Sequence, residues 1–218
     1  MSSDITNGSD GPCTISKTTP YSAQSSWYTD CSSGSGGDIQ INNFNLRGSI
    51  PSSHAFTYSM WIKPTTIAGT QGTLVSWGNT PIISFCPSGT AGDCQSAADT
   101  GRILAQIYKD DGSTNILTPP GNTIESTGRI TTSQWWKITV VFTSSLVSIY
   151  INGALDSSFP LSAADIFAPG YLFFGDIYGY SPSKVYLDDF MVYDSALTAS
   201  TIFKQYAETA SAHGLAIK

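Results

Sequence analysis

The stretch WWKITVVFTSSLVSIYINGAL, residues 135 to 155, constrains the fold more than any other. Side chains along a strand alternate between two faces. Here Trp136, Ile138, Val140 and Phe142 fall on one face, and Val147, Ile149 and Ile151 fall on one face of the next run. Two adjacent antiparallel strands follow from that pattern. Asn152-Gly153 closes the second run with a tight turn, since both residues tolerate positive φ.

Short runs of this kind, separated by turn residues, recur from Asp38 onward and predict an all-β sandwich. DIQINNF (38 to 44) alternates, and FTYSMWIKP (56 to 64) alternates more clearly, with Phe56, Tyr58, Met60 and Ile62 on one side and Pro64 as its end. GTLVSWG (72 to 78) and PIISFC (81 to 86) read as a hairpin around Gly78-Asn79. RILAQIYKDDGS (102 to 113) supplies a strand and an Asp-Gly turn, and YLFFGD (171 to 176) and KVYLDDFMVYD (184 to 194) are later strands. TASTIFKQYAE (198 to 208) is the one helical stretch, capped by Thr198 or Ser200. The expected organisation is a Ser/Gly-rich lead-in or linker over residues 1 to 36, a sandwich over 37 to 210 and a tail over 211 to 218.

Charge narrows the partners. Only 12 % of residues are charged, and the formal net charge is -6, with an isoelectric point near 4.6. Nucleic acids and anionic membrane surfaces reward clustered Lys and Arg, and no such cluster occurs, so neither is an expected partner. No apolar run reaches the length a spanning helix needs, so membrane insertion is not expected. Four cysteines, Cys13, Cys31, Cys86 and Cys94, allow three pairings. The sequence-local one, Cys13 with Cys31 and Cys86 with Cys94, is preferred because each pair brackets a loop that closes easily, and it implies an oxidising compartment. A zinc knuckle needs Cys-x2-4-Cys, which neither spacing provides.

The order FTYSMWIKP, GTLVSWG, WWKITVVF, VSIYINGAL, YLFFGD, LDDFMVYDSALTASTI resembles the laminin-G-like, concanavalin A-like lectin/glucanase superfamily. The matching pieces are Phe56 to Pro64, Trp136 to Phe142, Tyr150 to Gly153 and Leu187 to Leu197. The resemblance implies a two-sheet antiparallel jelly roll with one short C-terminal helix. It further implies a secreted or surface-displayed module that binds cell-surface glycans or glycoproteins, and the spacing of the acids makes a non-catalytic one the expectation. Some relatives hydrolyse glucans with alternating acids on one strand, and a retaining glycosidase needs two carboxyl groups about 5 Å apart. Neither Glu125 nor Glu208 has a suitably spaced acid, and Asp188 and Asp189, being adjacent, are expected on opposite faces. His213 falls in the tail, and no catalytic set with His54 is evident.

Sugar sites combine an aromatic face with amide and carboxylate acceptors. GDIYGYSPS (175 to 183) offers Asp176, Tyr178 and Tyr180 on one Gly/Pro-punctuated loop. Trp77 with Asn79, Tyr108, and the loop between Cys86 and Cys94 come second. Of the adjacent tryptophans, Trp136 is assigned to the core and only Trp135 is left as a platform. The alternative is a protein-binding or adhesive tip of a surface fibre, with homo-oligomers, trimers included, left open.

The closing strand LDDFMVYDSAL poses a separate problem. Strict alternation puts Asp188 with Phe190 and Val192 on the inward face, and a bare buried carboxylate costs several kcal/mol unless it is bonded, paired or metal-bound. Asp188 is therefore expected to be structural. It either accepts backbone N–H groups, or it shares a calcium ion, as some relatives do, with carbonyl oxygens near the first strand and with Asp38.

Overall fold

The computed structural model describes residues 5–7, 14–16, 28–30, 38–41, 55–65, 67, 72–77, 82–86, 100–106, 124–161, 172–175 and 185–217; for the N-terminal strands, residues 72, 73, 76, 77, 82 and 106, and residues 172–175, the backbone alone is described. Fourteen strands form two antiparallel sheets among these residues. They are β1 (Ile5–Asn7), β2 (Thr14–Ser16), β3 (Tyr28–Asp30), β4 (Asp38–Ile41), β5 (Phe56–Pro64), β6 (Gly72–Trp77), β7 (Ile82–Phe85), β8 (Arg102–Gln106), β9 (Ile124–Arg129), β10 (Trp136–Phe142), β11 (Leu146–Ile151), β12 (Ala154–Pro160), β13 (Leu172–Gly175) and β14 (Val185–Tyr193). One sheet runs β1-β4-β13-β6-β7-β8-β9 and the other β12-β11-β10-β5-β14-β3-β2. The all-β, two-sheet architecture with a single C-terminal helix, α1 (Ala199–Ala210), matches the sequence expectation.

Three strands fall inside the stretch expected as a lead-in. β1 pairs with β4, β2 with β3, and β3 with β14, so residues 5–7 and 14–16 sit at sheet edges and 28–30 bridge into the second sheet. At three residues each, they are too short for alternation to show.

Alternation decides the core. Phe56, Tyr58, Met60 and Ile62 of β5 meet Phe142, Val140, Ile138 and Trp136 of β10 in register, and Val147 and Ile149 of β11 continue the layer. The opposite sheet contributes Leu74, Val75, Ile83, Phe85, Ile103, Ala105 and Ile124. Phe56 stacks on Phe142 with ring centroids 4.3 Å apart, and Tyr58 meets both rings edge-on. Burial with no hydrogen-bond partner for its hydroxyl among the described residues pushes the Tyr58 phenol pKa strongly upward. Cys86, fully buried beside Leu104, is disulfide-bonded. Cys13, Cys31 and Cys94, and hence the pairing, lie outside the described residues.

The sheets are clasped along one side, where β12 and β9 are edge strands. The Asp156 carboxylate accepts the backbone N–H groups of Thr127 at 2.7 Å and Gly128 at 2.8 Å. A Cβ at position 128 would lie 2.7 Å from Asp156 Oδ1, so the glycine is what lets the carboxylate approach. Asp156→Ala is expected to lower stability by about 1 to 3 kcal/mol through loss of two charge-assisted bonds, read from urea unfolding. Gly128→Ala should reproduce much of that loss.

The outer face of the second sheet is roofed by the C-terminal helix. Thr198 caps α1 by accepting the Thr201 N–H at 3.2 Å. Ile202, Tyr206 and Ala210, four residues apart, turn inward. Ile202 packs with Val141 and Tyr150, and Tyr206 and Ala210 with Trp61 and Trp135. The β11–β12 turn accommodates the helix, because Gly153, at φ 79°, lies where a Cβ would be 2.9 Å from the Tyr206 Cβ. Upstream, the Thr57 hydroxyl donates to the Ser195 carbonyl and accepts the Leu197 N–H, fixing the approach to the helix.

Candidate functional site

The candidate residues read from sequence divide by strand end. In the first sheet Leu172 of β13 pairs with Trp77 of β6, and Gln106 of β8 pairs with Ile82 of β7, itself opposite Ser76. The segments carrying Asn79 and Tyr108 therefore leave the sheet at the same end as Trp77. Gly175 closes β13 at the other end, opposite Asp38, and Phe85 closes β7 there, opposite Gly72. The segments beginning at Asp176 and at Cys86 leave from that end. Asp176, Tyr178, Tyr180, Asn79 and Tyr108 lie outside the described residues, as does the Trp77 side chain. The backbone register thus puts Trp77 and Gln106 at one end of the sheet and Gly175 and Phe85 at the other.

The described residues hold one polar constellation of note, and it is built on Asp188. β14 does not alternate throughout. Leu187 pairs with Ile62 and Asp188 with Trp61, but the next partner pair is Met191 with Ser59, so Asp189 and Phe190 together oppose one residue of β5. Asp189 has φ 47°, the left-handed conformation that Asp adopts more readily than most residues. This bulge corrects the expectation that Asp188 shares a face with Phe190 and Val192. Val185 and Leu187 before it, and Phe190 and Val192 after it, all face the inter-sheet core. Asp188 instead points to the outer face beside Trp61, and it is buried there by the C-terminal segment.

That segment corrects a second expectation. After α1, Ser211–His213 forms a 3-10 turn ended by Gly214 in the left-handed region, and His213 is 5 % exposed. Its ring stacks on Trp61 at 4.1 Å and meets Trp135 edge-on at 5.1 Å. Nδ1 lies 2.9 Å from the Thr209 carbonyl, and Nε2 lies 3.3 Å from Asp188 Oδ2. Trp61 Nε1 donates to Thr209 Oγ1 at 3.0 Å. Trp135, expected to be free as a platform, is buried in this cluster, while Trp136 is half-buried at the core margin and donates to the Thr131 carbonyl.

Charge in the cluster is concentrated. Lys137, opposite Trp61 in register, is 3 % exposed and holds its amine 5.5 Å above the Trp61 ring. Burial lowers its pKa to about 8, against the opposing pull of Asp189 and then Asp188. Asp189 is pushed up, first by burial and then by the Asp188 charge, with Lys137 and His213 acting the other way. Asp188 Oδ1 accepts the Asp189 N–H at 2.9 Å. The two carboxylates therefore do not diverge, as adjacency suggested. The ligand atoms of Asp188, Asp189 and His213 all lie within 4.8 Å of one another.

Lys137 gives this cluster a pH signature. The folded chain releases the Lys137 proton near pH 8, whereas the unfolded chain keeps it until its ordinary value of 10.5. Between those values the unfolded state binds more protons, so stability rises with pH. The full span is about 3 kcal/mol, at about 1.4 kcal/mol per pH unit. Urea unfolding from pH 7 to pH 10 in chelator should show that rise, and Lys137→Met should flatten it.

The cluster does not form a sugar-cleaving pair. Asp188 is 3 % exposed beneath His213 and Trp61, which leaves a glycosidic bond no access. Glu125 is engaged by Arg102 at 3.1 Å. Asp38, expected to share a calcium ion with Asp188, belongs to the other sheet, and the groups around Asp188 include a ring nitrogen, whereas calcium takes six to eight oxygens.

No helix among the described residues is long and apolar enough to cross a membrane. No curated protein matches the chain in sequence. Solved structures match in fold. The receptor-binding domain of the botulinum neurotoxin C/D mosaic serotype superposes with a TM-score of 0.66 at 15% identity, covering 94% of this chain and 46% of that one. The binding domain of Paraclostridial Mosquitocidal Protein 1 gives 0.62 at 17%, covering 94% and 48%. Domain 4 of an extracellular arabinanase from Geobacillus stearothermophilus, in complex with arabinotriose, gives 0.60 at 17%, covering 92% and 86%. The chain thus spans about half the length of the toxin domains and most of the arabinanase domain. The profile of one family matches residues 33–203, in agreement with the two-sheet architecture, and the chain belongs to the concanavalin A-like lectin/glucanases superfamily.

Proposed function

We propose that this chain is a non-catalytic, extracellular recognition module that binds glycans through loops at the sandwich rim. The observation that carries the reading is the likeness to the arabinanase domain, which was solved with arabinotriose and is matched over 86% of its length. The toxin structures support it: one is described as botulinum neurotoxin type C whose cell entry depends on interaction with two ganglioside molecules. The outer face of the second sheet is roofed by α1 in this chain, which directs binding to the rim. The favoured rim is the end where β13 and β7 close, because Asp176, Tyr178 and Tyr180 follow Gly175 there and the segment from Cys86 to Cys94 follows Phe85.

A glycan array probed with the purified chain, in calcium and in chelator, tests the reading. Binding to a related set of sugars, unchanged by chelator, is expected. A blank array in both buffers would replace this reading with a protein-binding or adhesive module.

A further inference from the structure

The C-terminal turn brings an imidazole to two carboxylates, and its hydrogen bonds fix which nitrogen faces them. His213 Nδ1 lies 2.9 Å from the Thr209 carbonyl oxygen. A carbonyl only accepts, so Nδ1 carries the proton. In the neutral ring Nε2 is then a bare lone pair, and it faces Asp188 Oδ2 at 3.3 Å in a site that is almost fully buried. Two acceptors do not bond each other. A cation belongs between them.

The spacing separates a proton from a metal. An imidazolium–carboxylate contact draws in to about 2.7–2.9 Å, and 3.3 Å is longer than that. Bonds of about 2.0–2.1 Å in a tetrahedral metal site put neighbouring ligand atoms about 3.3 Å apart. Asp189, whose left-handed backbone turns its carboxylate to the same side, brings a third ligand atom within 4.8 Å of the other two. Its side chain has to close in on the ion, since ligand atoms on such bonds lie at most about 4.2 Å apart. Asp188 Oδ1 is already used by the Asp189 N–H, which leaves Oδ2 for an ion. A ring N–H held by a backbone carbonyl, inside an apolar shell of Trp61 and Trp135, is the outer arrangement that accompanies metal-bound imidazole.

We propose that Asp188, Asp189 and His213 bind a divalent transition metal of the zinc type, which latches the C-terminal turn onto the bulge of β14. Two carboxylates neutralise the ion, the imidazole supplies the nitrogen ligand zinc favours, and a fourth position is left for water. Lys137 is the other charge facing the cluster. Its amine lies over the Trp61 ring and makes no ion pair with either carboxylate among the described residues, so it does not compete for the ligand atoms. This site is independent of the glycan reading.

The test uses tag-free protein stripped with chelator, titrated with zinc by calorimetry and followed by thermal unfolding, with calcium in parallel. One zinc ion per chain and a raised Tm are expected, with no response to calcium. Asp189→Asn, at a half-exposed position, and His213→Gln, whose amide still reaches the Thr209 carbonyl, should each weaken zinc at least tenfold while remaining folded. Cobalt should give the visible absorption of a tetrahedral site in the wild type and lose it in both variants. Absence of one-to-one binding, or unchanged affinity in the variants, would overturn the proposal and leave Asp188 and His213 as a bare ion pair.

Discussion

Trp61→Ala is expected to lower the stability of the chain by about 3–5 kcal/mol, the range for removing a buried tryptophan. Trp61 is fully buried on the outer face of the second sheet, and the C-terminal segment is organised around it. His213 stacks on its ring, Tyr206 packs at 5.9 Å, and its Nε1 donates to Thr209. Truncation therefore opens a cavity and detaches three contacts of the helix and turn at once. Urea unfolding gives the magnitude. Limited proteolysis should show cleavage within residues 199–217 before the sandwich is cut, and Trp61→Phe should retain much of the protection. A loss below about 1 kcal/mol would mean that the roof is held elsewhere, since buried large-to-small changes rarely cost so little.

Asp188→Ala should come next, at about 2–4 kcal/mol, because it orphans several buried partners at about 1–3 kcal/mol each. Two groups lose their anion: His213 Nε2, 3.3 Å away, and Lys137, whose charged form Asp188 helps to support. The Asp189 N–H also loses its acceptor just where the backbone is left-handed. Asp188→Asn keeps the shape and one acceptor oxygen, so its loss should be smaller. Thermal unfolding of both variants in chelator separates the charge from the hydrogen bond.

Much of the architecture was legible because it rests on alternation. The β10–β11 hairpin, its Asn152-Gly153 turn and the Thr198 cap are where local chemistry and tertiary structure agree. Alternation failed at Asp189, since a bulge is one residue of extra chain with no period of its own. That residue moved Asp188 from the inter-sheet core to the outer face and brought the two carboxylates together. The only sequence signal was Asp at the bulged position, a residue type that tolerates positive φ. His213 was hidden for another reason. It meets Asp188 across 25 residues through a helix whose outer-face partners, Trp61 and Val141, read in sequence only as the less apolar side of their strands. Pairing of β1 to β3 depends on contacts far along the chain, which three-residue segments do not announce.

One paired measurement separates the stability expected of the Asp188 cluster from the recognition proposed for the rim. A sugar identified on the array is titrated into Asp188→Asn and into the double variant Tyr178→Ala/Tyr180→Ala, with unfolding measured on the same samples. The expected result is that Asp188→Asn unfolds more easily but binds as the wild type does at low temperature, while the tyrosine variant keeps its stability and binds at least tenfold more weakly. Loss of binding in a stably folded Asp188→Asn, with full binding in the tyrosine variant, would contradict the account and move recognition to the buried cluster.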